Sequence, residues 1–242
     1  MYDSEAEFQS AIDASPNDDS LRLRFADWLE RREGPRAIAV RTRVEQIRNV
    51  KQKLARLAKI ERSRNPFTLH RRKYALRSPL RSAVVRSIEQ ELQCTLPEDY
   101  VDFLVRVAES GPGPAHRLIG LRESIKHCQR KPFPLDKEVQ LPVDGDDIGY
   151  DLPIDAIYSG CIMLASHGCG SETHLVILGK EKGNVWEFWG AGDRLWHNYG
   201  KSFLTWYEGW LDKELEQAEW NYEQERALSI GAGSKPWWKV WQ

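Results

Sequence analysis

The chain has 242 residues, 41% of them hydrophobic and 29% charged, which suits one domain of ordinary size plus a smaller unit and argues against a disordered chain. Its acidic start, MYDSEAEF, lacks the apolar stretch of a secretory leader, and the longest uncharged run, residues 156–171, is glycine-broken and too short to span a bilayer, so the expectation is a cytoplasmic protein. The net charge of -1 hides a split: residues 41–86 hold fifteen Lys or Arg against Glu45 and Glu61, a net of +13 that leaves -14 elsewhere, which points to a basic element presented to, or packed against, an acidic surface.

Ser4-Glu5-Ala6-Glu7 reads as a capping box opening a helix to about Ala14, with Phe8, Ala11 and Ile12 inward. The turn at residues 15–19 caps a second helix, in which Leu21, Phe25, Trp28 and Leu29 share a face. Gly34-Pro35 ends it and starts a third, which stays helical to about Arg62 with Val40, Val44, Ile47, Leu54, Leu57 and Ala58 near one stripe. Asn65-Pro66 breaks that helix, and the basic run from His70 to Lys73 falls in a loop or linker.

Ser78-Pro79 is expected to open a helix carrying Val84, Ile88 and Leu92, and Thr95-Leu96-Pro97-Glu98 to form another capping box before Tyr100, Phe103, Leu104 and Val107. Residues 118–121 suggest a short edge strand, and Pro132, Pro134, Pro142 and Pro153 argue for long loops up to Tyr158. Asp144-Gly145-Asp146-Asp147 resembles a fragment of a calcium loop but lacks the terminal glutamate and the spacing, so an acidic turn or partner contact is preferred.

Residues 159–189 carry the strongest pattern. Apolar runs at residues 161–164, 175–178 and 185–189 are separated by Gly168-Cys169-Gly170 and a turn at Gly183, predicting a small antiparallel meander. The two glycines of the first turn call for positive φ, and Cys169 is expected to point into the core. A loop or short strand with Trp196 and His197 follows. A helix from about Ser202 then buries Phe203, Tyr207, Trp210, Leu211 and Leu215. Nine of the ten tryptophans lie from Trp186 onward, and the rings at 237, 238 and 241 are expected to dock on their own domain or on a partner.

Little of this patterning is catalytic. Gly200-Lys201-Ser202 looks like the end of a phosphate-binding loop, but Leu195 stands where its first glycine belongs. His167, Cys169 and His174 match no common zinc spacing, and Ser166-His167 point to opposite faces of a strand. Cys94, Cys128, Cys161 and Cys169 include no CxxC pair and fit reduced thiols. No cofactor or metal is expected.

Two resemblances attach to particular residues. Gly160, the strand after it, Gly168-Cys169-Gly170, Leu175-Val176-Ile177, Gly179, Gly183 and Val185-Trp186 resemble the core signature of the SUKH superfamily, the Smi/Knr-type immunity and regulatory proteins. Residues 88–92, the Leu96-Pro97-Glu98-Asp99-Tyr100 turn, Phe103-Leu104 and the aromatic helix from Phe203 agree with it, so the resemblance covers about residues 80–215. Upstream, Glu7-Phe8, Asp18-Asp19, Leu21-Arg22, the run from Phe25 to Glu30 and Pro35-Arg36-Ala37 are similar to a short repeat-companion module appended to many bacterial proteins, over about residues 1–44.

The expected architecture is α+β: a helical module (1–44), a basic helical connector (45–79), a SUKH-like domain with an antiparallel sheet packed by helices (80–228) and a Trp-rich tail (229–242). The SUKH resemblance implies a non-catalytic immunity protein of a bacterial toxin system, occluding a cognate toxin, such as a nuclease or deaminase, by direct binding. Asp146, Asp147, Glu172, His174, Trp189 and Asp193 are the contact candidates, taken as loop or strand-end residues near the meander. A regulatory scaffold or adaptor is the alternative, and nucleic-acid binding through the connector is a second one.

Overall fold

The computed structural model describes residues 2–64, 74–115, 117–140, 158–190 and 195–232. Helix α1 (Glu5–Ala14) opens on the expected box: the Glu7 amide donates to Ser4 Oγ at 3.3 Å and the Ser4 amide donates to Glu7 Oε2 at 3.1 Å. Helix α2 (Asp19–Glu30) is capped by Asp18, whose carboxylate accepts from the Leu21 amide. Phe8, Ile12, Leu21, Phe25 and Leu29 then close a small core against Ala37 and Val40.

Those last two residues belong to α3 (Gly34–Arg64), the spine of the molecule. Its buried residues, Ala37, Val40, Val44, Ile47, Val50, Leu54, Leu57 and Ile60, recur every three or four positions, so one apolar stripe runs its whole length. The stripe serves two cores. Up to Val40 it faces α1 and α2, and from Ile47 onward it joins the main core.

The main core is completed by α4 (Ser82–Leu92), α5 (Glu98–Arg106), α6 (Leu121–Ser124), a sheet and α7 (Phe203–Ala232). Several local expectations give way here. Helix α4 starts at Ser82, because Leu80 is drawn out of line to donate its amide to the Leu104 carbonyl. The Thr95 box does not form: Pro97 occupies the cap position, Glu89 takes the Leu96 amide at 2.7 Å, and the Thr95 hydroxyl accepts from Lys182. Residues 118–121 make no strand. Leu118 forms one isolated bridge to Gly111, and Leu121 begins α6.

The sheet is antiparallel, in the order β1-β5-β4-β3-β2, with β1 (Val139–Gln140), β2 (Cys161–Gly168), β3 (Ser171–Val176), β4 (Asn184–Trp189) and β5 (Leu195–Ser202). The segment around Trp196 and His197 is thus a full eight-residue strand. One face puts Ile162, Leu164, Leu175 and Val185 into the main core beneath a cluster of edge-to-face rings, Tyr100, Phe103, Phe203 and Tyr207. The other face, Cys161, Val176, Trp186, Phe188 and Trp196, is roofed by Phe133 and Leu135. Gly160 sits where residues 131–133 cross the sheet. Its φ is +64°, and a Cβ there would lie 2.5 Å from the Lys131 carbonyl oxygen and the Phe133 nitrogen, so only glycine fits.

Two devices fix α7. Buried Asp99 on α5 accepts from the Leu204 amide at 3.0 Å, so a carboxylate from a distant helix caps the first turn of α7. Burial outweighs its hydrogen bonds and raises the Asp99 pKa. Along its length α7 matches α3 charge for charge: Lys53 meets Glu208 and Asp212, Arg56 meets Glu219 at 2.9 Å, and Arg64 meets Glu225. Three of the basic tract's fifteen Lys and Arg are thus packed against the chain's own acidic helix, while Arg41, Arg43, Arg48 and Arg86 meet acids of the other helices.

Candidate protein-binding face

Alternation along β4 separates Val185, Glu187 and Trp189 from Trp186 and Phe188. Val185 meets the helices, and farther along the same face the side chains turn polar, with Thr173 buried and Glu187 largely so. Register sets Thr173 and His197 on either side of Glu187. Tyr199, two residues past His197, donates to Glu187 Oε2, and His167 reaches across from β2 to Thr173 Oγ1 at 2.8 Å and Glu187 Oε1 at 3.4 Å. His197 Nδ1 meets Glu138 Oε1 at the opposite edge. Burial and the adjacent Glu187 carboxylate hold the Tyr199 phenol well above its ordinary range, so it remains a donor. Trp189 ends this row with 45% of its surface exposed.

The row is built to hold shape rather than to move protons. Both contacts of His167 use the same ring nitrogen, so Thr173, His167 and Glu187 cannot form a relay in which one nitrogen takes a proton while the other is steadied. A relay-like order does occur on the other face: His174 Nδ1 lies 3.7 Å from Cys161 Sγ, and its Nε2 lies 3.0 Å from Glu172 Oε2. Both Cys161 and His174 are buried, however, and burial pushes the thiol up, so it stands protonated and is a poor nucleophile. Among the described residues, no group of three or more His, Cys, Asp or Glu is placed to hold a metal ion.

A family model described as SMI1 / KNR4 family (SUKH-1) matches residues 79–209, more than half of the chain. The chain belongs to this family. No curated protein and no solved structure matches it.

The SUKH-1 span takes in α4 to α6, all five strands and the start of α7, and with them every residue of the polar row. It leaves out α1, α2 and α3. Among the contact candidates, Trp189 stands at the exposed end of the row. Glu172 is partly exposed on the opposite face, and His174 is not at a strand end: it is buried in β3 between the rings of Tyr158 and Trp196. Asp146, Asp147 and Asp193, and the tryptophans of the tail, lie outside the described residues. Cys169 is exposed at φ +50°, because a two-residue turn with positive φ throws its side chain outward, not into the core.

Thr173, Glu187, His197 and Tyr199 escape a reading of the chain because they become neighbours only through strand pairing. The one local signal is Glu187, a lone carboxylate in the apolar run Val185-Trp186-Glu187-Phe188-Trp189. No helix among the described residues is long and apolar enough to cross a membrane.

Proposed function

We propose that this SUKH-1 protein is a non-catalytic immunity protein of the bacterial cytoplasm, neutralising a cognate toxin by covering its working surface with the sheet face that ends in Trp189. The observation that carries this reading is an exposed indole closing a sheet row that also holds the Glu187 carboxylate and, paired to His197, that of Glu138. A half-exposed aromatic fixed by a strand is the kind of anchor that dominates binding energy, and flanking carboxylates suit the basic groove of a toxin that acts on nucleic acid, such as a nuclease or deaminase. The N-terminal helices, read as a repeat-companion module, would ride on α3 without entering this contact.

The nucleic-acid alternative loses ground, since Lys53, Arg56 and Arg64 already face carboxylates of α7. The test is co-expression with the toxin domain encoded beside the gene. The intact chain should restore growth, and Trp189→Ala should weaken the complex by about 2 kcal/mol or more. Growth that the intact chain fails to restore would overturn the immunity reading, and a regulatory kinase bound in place of a toxin would establish the adaptor.

A further inference from the structure

Between the N-terminal helices and the family domain lies a cavity of about 400 Å³, within the roughly 300–1,000 Å³ typical of small-molecule sites. Its walls come from both sides: Ile12, Phe25 and Val40 from the N-terminal core, Val85, Val101 and Val105 from α4 and α5. Because α3 is continuous through both cores, the walls are held apart by a single helix and the space is preformed.

The charged groups sort by depth. At the mouth, Arg36 pairs with Glu5 and Glu33, and Arg86 pairs with Asp13, so neither cation is left without an acid. Glu89, also in the lining, is engaged by the Leu96 amide. At the floor the balance differs. Arg22 and Arg43 both converge on Asp102, at 2.8 Å and 3.2 Å, with the side chains of Arg22 and Asp102 only 11% and 8% exposed. Two guanidinium groups thus share one buried carboxylate. One helical turn along α5, buried Arg106 pairs with Asp19 through Nη2, while its Nε and Nη1 have no partner. Burial first, and then the nearby Arg22 charge, lower the Arg106 pKa; Arg106 lies behind Asp102 on α5 and does not itself line the cavity. The second partner of Arg43 is Glu98, at 2.8 Å, whose side chain is 70% exposed and which gives up little on returning to water.

We propose that this cleft is a binding site for a small organic carboxylate with an apolar body, the body lying between the valines and Phe25 and the carboxylate replacing Glu98 on Arg43. An incoming carboxylate would take over from the exposed Glu98 as the second acid on Arg43, with Asp102 still shared with Arg22, and planar guanidinium groups are suited to carboxylate geometry. The apolar walls favour a hydrocarbon over a hydrated anion such as inorganic phosphate. No part of this rests on the proposed toxin-binding face, since none of the cavity's lining residues belongs to the sheet.

The test is calorimetric titration of the full chain with octanoate, 1-octanol and octylamine. Octanoate should bind one to one, with octanol and octylamine at least tenfold weaker. Arg43→Gln should weaken octanoate about tenfold, the loss of one charge-assisted hydrogen bond. Glu98→Gln removes the competing carboxylate and should tighten octanoate about threefold or more, and this exposed substitution remains informative if Arg43→Gln fails to fold. Absence of octanoate binding at millimolar concentration, equal binding of the three probes, or a Glu98→Gln variant with unchanged affinity would each overturn the proposal.

Discussion

The two halves of α3 carry the same kind of surface, an apolar stripe flanked by Lys and Arg, yet they are held in different ways. In the C-terminal half the stripe meets a second stripe on α7: Val50, Leu54, Leu57 and Ile60 share one core with Leu211 and Ala218, and the ion pairs flank that core. In the N-terminal half, the helices resting on α3 keep a core of their own, and what ties them to α4 and α5 is charge: Arg22 to Asp102, Arg106 to Asp19, Arg86 to Asp13. Where two apolar surfaces meet, charges are auxiliary. Where they are kept apart, charges do the joining, two of the three pairs largely buried and the third at the mouth, and a cavity remains.

Three substitutions sharpen this contrast. Asp102→Ala strips the shared partner from Arg22 and Arg43 and leaves buried guanidinium groups uncompensated, so it should cost about 3–5 kcal/mol in urea unfolding. A loss below about 1 kcal/mol would mean that the N-terminal helices are held by something other than charge. Leu57→Ala, in the apolar seam, should cost about 2–4 kcal/mol, with little change between low and high salt. Arg56→Gln, which removes a half-exposed pair with Glu219, should cost under about 1 kcal/mol, most of it gone at high ionic strength. If this last change proved as damaging as Leu57→Ala, the seam would be ionic after all.

How much of this is legible in the chain depends on the range of the interaction. The Ser4 box, the Asp18 cap and the stripe on α3 come from contacts within a few residues, and they stand as the sequence suggests. The Thr95 box has the right letters but loses to longer-range partners, with Glu89 and Lys182 taking the groups it needs. The strand at Trp196 is weak in isolation, and it forms because β4 offers it a full register. His174 looks like a surface residue beside Glu172 and Thr173, and is buried because the rings of Tyr158 and Trp196 close over it. The cleft above Asp102 leaves no mark on the sequence, since its lining is drawn from five separate segments.

The unbroken course of α3 from Gly34 to Arg64 acts as a gearing between the ends of the molecule. With about 3.6 residues in each turn, adding or deleting a single residue near its middle would swing the first two helices by about 100° around the axis and carry Asp13 and Asp19 away from Arg86 and Arg106. Length changes tolerated in that stretch are therefore expected to come in steps close to whole turns, three or four residues and then seven, while point changes on its outer side pass freely.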